Sequence, residues 1–151
     1  MILRLDNTSM VLHIGEQQTA VTTISGDEPP EAVVLEIGSI KTAAEYFQHH
    51  PPTPGEIENA IVAVEDAVAG ARTIISGGTI LFTMDDAIRK IALISGDQDR
   101  SELILTRDAM ERTFERLIAV TLGRSDLLEE IPSDVTFAAT LLILREFMHH
   151  S

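Results

Sequence analysis

The hydrophobic pattern changes period near Gly38, and that change constrains the fold more than any other feature of the chain. Before Gly38, β-branched and apolar residues tend to alternate with polar ones, as in half-buried strands. After it, Ile40, Ala43, Ala44 and Phe47 recur at the spacing of a helical face. A chain that opens on strands and continues in helices must place both on one core, so an α/β class is expected.

The strand part reads as a meander. Residues 1–5 form a short apolar run. Residues 9–14 and 19–24 read as strands, joined by a turn at Gly15, Glu16, Gln17 and Gln18. Asp27, Glu28, Pro29 and Pro30 belong to a loop, and residues 32–37 are a further strand. A helix over residues 39–48 follows, closed by Pro51 and Pro52. Thr53, Pro54 and Glu56 then form a cap, a first-turn proline and a capping box for the next helix, which ends near Gly70.

Residues 73–76 are expected to form a short buried strand, parallel to the first. Gly77, Gly78 and Thr79 turn the chain into a helix over residues 81–92. Residues 101–105 read as an edge strand, and Thr106 caps a helix with Met110, Phe114, Leu117 and Ile118 on one face. Leu127 and Leu128 sit in a short connecting helix. Ser133 caps a final helix, residues 134–149, whose stretch from Phe137 to Leu144 is apolar nearly all round and is expected to be buried. The sum is a ribonuclease-H-like order: a mixed sheet, antiparallel meander plus parallel strands, with helices packed on its faces.

Composition removes several functions. The 151-residue chain has no cysteine, so it has no disulfide, thiolate metal site or cysteine nucleophile. Lys plus Arg number 11 against 24 Asp plus Glu, a net charge of −13, which argues against a nucleic-acid partner. Without Trp and with 4% aromatics, base-stacking platforms are not expected. No apolar run is long enough to span a bilayer and no signal segment is legible, so no membrane and a cytoplasmic location are expected.

Four stretches, in order, resemble the exopolyphosphatase/guanosine pentaphosphate phosphatase family. Leu35-Glu36-Ile37-Gly38-Ser39 and the helix after it resemble the family's strand ending in Leu-Gly-Ala and its following helix. Pro51-Pro52-Thr53-Pro54-Gly55-Glu56-Ile57 is similar to Pro-Pro-Thr-Pro-Glu-Glu-Leu. Ile74-Ile75-Ser76-Gly77-Gly78-Thr79 is similar to Gly-Val-Gly-Gly-Thr. The tail ending in Ile131-Pro132-Ser133-Asp134-Val135 resembles the family's closing segment. The resemblance implies a single domain over residues 1–151, equivalent to the second of two ribonuclease-H-like domains in that family.

The departures bear on activity. The family's second domain opens with a strand and an Asp-Ile-Gly-Gly-Gly-Ser-Thr-Glu turn, whose glycines let backbone N–H groups close on phosphate. Paired with the start of this chain, that pattern meets Arg4 for the aspartate, Asp6, Asn7 and Thr8 for the glycines, and Val11 for the glutamate. On this resemblance the first domain, with its catalytic glutamate, is expected to have no counterpart here, and half a cleft cannot align water, phosphate and metal.

The expectation is therefore a non-catalytic, stand-alone exopolyphosphatase-like domain acting by self-association or protein binding. A residual phosphate or nucleotide site is expected among Gly77, Gly78, Thr79, Asn7, Thr8, Ser9 and Arg4, with no catalytic residue, no metal and no cofactor. The alternative is a phosphohydrolase on polyphosphate or guanosine polyphosphate, using magnesium, completed by a second subunit or partner chain. A homodimer, or a hetero-partner supplying the missing domain, is expected to cover apolar residues of the last two long helices. His13 reads as a half-buried strand residue, Asp85 and Asp86 as solvated acids at a helix start, and the terminal histidines as frayed.

Overall fold

The computed structural model describes residues 9–24, 29–71, 80–98, 101–125, 130–132 and 134–150. Three strands, β1 (Ser9–Ile14), β2 (Thr19–Ile24) and β3 (Glu31–Leu35), form the antiparallel meander. The period-two pattern sets its register: Leu12 pairs with Val21, and Val21 with Val33, on one face. Met10, Leu12, Ile14, Val21 and Leu35 are buried in the core. On the opposite face Ser9 is buried, whereas Val11, His13, Ala20, Thr22, Ile24, Ala32 and Val34 are not.

Two helices follow β3. α1 (Ser39–Tyr46) is joined by a short link to α2 (Pro54–Ala69). α2 starts as its sequence dictates: the Thr53 hydroxyl accepts the Glu56 N–H at 3.2 Å, and the Glu56 carboxylate accepts the Thr53 N–H at 2.9 Å. Ile57, Ala60, Val64 and Val68 make its buried stripe. The chain then returns as β4 (Ile80–Thr83), parallel to β1 with Met10 beside Leu81 and Leu12 beside Thr83. The four-stranded sheet has the order β3-β2-β1-β4.

β4 occupies residues expected to open a helix. Ile80, Leu81, Phe82 and Thr83 are strong strand formers, and the free side of β1 offers them a ladder, so α3 starts only at Asp86 (Asp86–Ile94). The strand expected over residues 73–76 lies outside the described residues, as do the run at 1–5, the helix at Leu127 and Leu128, and the cap Ser133. The edge strand expected over residues 101–105 does not form. That stretch is irregular, with the Ile104 N–H held by the Asp97 carboxylate at 2.9 Å.

α4 (Arg107–Thr121) begins with the Thr106 hydroxyl accepting the Ala109 N–H at 3.1 Å. α5 (Val135–His150) packs against β1 and against each of the four other helices among the described residues. Ala139, Leu141, Leu142, Ile143 and Phe147 are fully buried, and Met110, Phe114 and Leu117 of α4 join the same core. The apolar faces expected to meet a second copy are thus consumed inside the chain. The C-terminal end of α5 is not frayed: His149 lies in the helix and its ring pairs with Glu111 of α4. Among the described residues, no helix is long and apolar enough to cross a membrane.

Candidate functional site at the carboxyl ends of β1 and β4

In open α/β sheets, ligands bind beyond the carboxyl ends of the strands, where connections to helices begin. Here that place lies where β1 and β4 end side by side. The β1–β4 ladder stops at Leu12 and Thr83, so Ile14 reaches beyond it. After β4 the chain passes Met84, which is almost wholly exposed, to Asp85, the residue preceding α3.

The Asp85 carboxylate turns back onto β1. One oxygen accepts the Ile14 N–H at 2.7 Å, and the other lies 2.7 Å from Nδ1 of His13. The Asp85 side chain is 12% exposed and that of His13 66%, so the carboxylate sits beneath the imidazole with little access to water. The Asp85 N–H in turn donates to the Thr83 hydroxyl at 3.1 Å.

The β1–β2 turn closes the other side. The Gly15 carbonyl accepts the Ser39 N–H at 2.9 Å, and the Glu16 carbonyl accepts the Ile40 and Lys41 N–H groups at 3.0 Å each. These are the first N–H groups of α1, which has no side-chain cap. Gly38 lets the turn come this close, because a Cβ there would stand 2.4 Å from the Glu16 carbonyl oxygen. The positive end of α1 is thereby spent on the chain's own carbonyls.

A cavity of about 180 Å³ adjoins the starts of α1, α3 and α5, lined by Ser39, Ala87, Lys90, Asp134, Thr136 and Thr140 among others. It is smaller than the roughly 300–1,000 Å³ of sites for drug-sized ligands. Its one lysine shares the lining with an acid. Asp134 is held ionised below the usual carboxylate range, first by the Thr136 hydroxyl and N–H, then by the Lys90 and His50 charges, against the upward push of burial.

A second polar cluster joins α4 to α5. Arg145 lies 3.2 Å from Glu111 and 3.5 Å from Glu146, and its guanidinium covers the Phe114 ring at 4.4 Å. Burial pushes the Glu111 carboxyl up, but bonds from His149 and the nearby Arg145 outweigh it and hold the group low. Glu146, 2% exposed, is pushed the other way by burial and by Glu65. Among the described residues, no three His, Asp or Glu side chains are grouped to hold a metal ion.

Of the residues expected to hold phosphate, Ser9 is described: it opens β1, buried, beside Ile24 and Ile80. Arg4, Asn7, Thr8, Gly77, Gly78 and Thr79 lie outside the described residues. Sequence reasoning missed the pairing of His13 with Asp85, 72 positions apart. The available signal was the helix-capping residue type of Asp85 and the position of His13 at a strand end.

No protein-family model matches the chain, and no curated protein matches its sequence. Solved structures do match its fold. One reported as the Aquifex aeolicus PPX-GPPA enzyme superposes with a TM-score of 0.75 over 95% of this chain, at 16% identity. The type II variant of the Aquifex aeolicus Ppx/GppA phosphatase gives 0.69 over 95% at 16%, and an exopolyphosphatase-like protein 0.71 over 96% at 13%. The chain covers 50%, 50% and 51% of those three chains, so it spans about half their length. The chain has the fold of one half of a Ppx/GppA-type protein.

Proposed function

We propose that this chain is a non-catalytic Ppx/GppA-like unit that works by associating with another protein or a second copy of itself. The observation that carries this reading lies at the end of β1, where the Asp85 carboxylate already takes the Ile14 N–H and the His13 ring. The turn beside it supports the same reading. Ser9, Met10 and Val11 are ladder residues of β1, so the turn after the strand is the one that begins at Gly15. Set there, the family pattern Asp-Ile-Gly-Gly-Gly-Ser-Thr-Glu meets His13-Ile14-Gly15-Glu16-Gln17-Gln18-Thr19-Ala20. Ile14, Gly15 and Thr19 keep the pattern. The acids at its two ends become His13 and Ala20, and two glycines become Glu16 and Gln17.

Association would use surfaces other than the buried faces of α4 and α5. The outer face of the sheet is one, with Ile24 and Val34 exposed and Ala32 between their rows. The test is hydrolysis of polyphosphate and guanosine pentaphosphate by the purified chain with magnesium, alongside sedimentation of the same preparation. No turnover above the blank is expected, and turnover that survives repurification refutes the reading. One other reading is a phosphohydrolase that needs the other half of such a fold, since the chain spans about half of the Ppx/GppA chains it resembles. It requires turnover to emerge when a chain carrying the other half is added.

A further inference from the structure

Asp85 stands in the N-cap position of α3 with extended backbone (φ −72°, ψ 126°). An aspartate there ordinarily accepts an N–H from the first turn of its own helix. This one makes no such bond. Both oxygens go to β1: one to the Ile14 N–H, one to the His13 ring, each at 2.7 Å.

Those two partners share a chemistry. A backbone N–H beyond the end of a ladder and an imidazole beside it form a small donor pair, set at the carboxyl ends of adjacent parallel strands. Charge-assisted bonds of this length are the strong kind. An oxyanion would accept the same two donors from the same side.

We propose that Asp85 is a built-in anion. Its carboxylate occupies an oxyanion position formed by the Ile14 N–H and His13, and excludes phosphate from it by competition. This goes beyond the non-catalytic reading, which concerns turnover, by assigning the occupant of the site. A tethered carboxylate acts at an effective concentration of about millimolar or higher, so dissolved phosphate displaces it only at a concentration well above that. Displacement would not leave the carboxylate without donors, because rotation about its side-chain bonds brings it to the uncapped first turn of α3.

The proposal predicts a gain of binding on removal of the acid. The full chain, Asp85→Ala and Asp85→Asn are titrated with inorganic phosphate and with pyrophosphate, and the Ile14 amide and His13 ring are followed by NMR. The unsubstituted chain is expected to show no saturable shift at either position with millimolar phosphate. Asp85→Ala is expected to show one at both, an affinity gain of about tenfold or more. Asp85→Asn keeps an acceptor for the Ile14 N–H and loses the charge. It is expected to bind more weakly than Asp85→Ala, and it serves as the variant if Asp85→Ala does not fold. Absence of a saturable Ile14 shift in both folded variants, or equal binding by the unsubstituted chain, overturns the proposal. This proposal rests on the non-catalytic reading at the Asp85 contact, so either result withdraws that support and leaves the reading on Glu16 and Gln17 of the β1–β2 turn alone, whereas only hydrolysis by the unsubstituted chain refutes the reading itself.

Discussion

Replacing Gly38 with alanine is expected to be among the most destabilising small substitutions in this chain. The backbone at Gly38 is extended (φ −161°, ψ 165°), a conformation open to any residue, so the constraint is space. A Cβ would lie 2.4 Å from the Glu16 carbonyl oxygen, 2.6 Å from its carbon and 2.7 Å from the Gln17 carbonyl carbon, all inside the 3.0 Å that real Cβ contacts respect. Each neighbour is backbone and cannot rotate away, so the β1–β2 turn must move. Three hydrogen bonds hold it, from Ser39, Ile40 and Lys41. Losing them costs about 1 kcal/mol each. Overpacking adds about 1–3 kcal/mol if the turn yields only in part. The two routes trade against each other, so the expected loss is about 3–4 kcal/mol. At about 2–4 °C per kcal/mol, the melting temperature falls by roughly 10 °C. Gly55→Ala is the control. It lies in the first turn of α2, where an added Cβ meets nothing within 4 Å. That change should stabilise by about 0.5–1 kcal/mol. Urea denaturation followed by circular dichroism reads both. A Gly38→Ala chain within about 1 kcal/mol of the unsubstituted one would refute the close approach.

Two carboxylates set further expectations, in opposite pH ranges. Glu146 has its pKa raised by burial and by Glu65, so its contribution to stability is complete below the ordinary carboxylate range and is lost as pH rises through the raised value. Glu146→Gln should therefore gain stability relative to the unsubstituted chain as pH rises, and a difference in melting temperature that does not vary with pH would contradict this. The Glu56 carboxyl is lowered from 4.5 to about 2, chiefly by the Thr53 N–H and, after the opposing push of burial, by the Gln48 N–H and His49. Its contribution is present above 4.5 and lost as pH falls toward 2, so Glu56→Gln should flatten the acid limb of the stability profile. An acid limb as steep as before would show that the capping box carries none of it.

What was legible in the sequence was local. The alternation in β1 and β2, the Thr53–Glu56 capping box and the Thr106 cap each lie within a few residues, and each forms as read. β4 was not legible for a physical reason. Four residues are too few to display a period, and Leu81 precedes Ile88 by two helical turns, so it extends the α3 stripe by coincidence. The apolar run of α5 predicts burial and α5 is buried, but its faces are not left for a partner, because four helices among the described residues pack against it. The contact of Asp85 with His13 and Ile14 exists only because β4 pairs with β1, and no local pattern encodes that pairing.

The two close approaches at this end of the sheet act in one direction. An open α/β sheet offers a ligand the N–H groups beyond its strand ends and at its helix starts. In this chain the first N–H groups of α1 go to the Gly15 and Glu16 carbonyls, and that of Ile14 goes to Asp85. Lys90 shares its cavity with Asp134, an acid held ionised. An incoming phosphate would therefore have to displace chain atoms from satisfied donors, which forfeits the strength that pre-formed, unoccupied donors give a binding site. The net charge of −13 adds a long-range penalty of the same sign for any anion. An uncharged surface meets neither obstacle. The outer sheet face carries Val11, Ala20, Ile24, Ala32 and Val34, all at least partly exposed, and a macromolecular partner on this patch, away from the His13–Asp85 pair, covers no carboxylate among these five side chains. The same acids that close the strand-end site to phosphate thus leave that face as the better route to association.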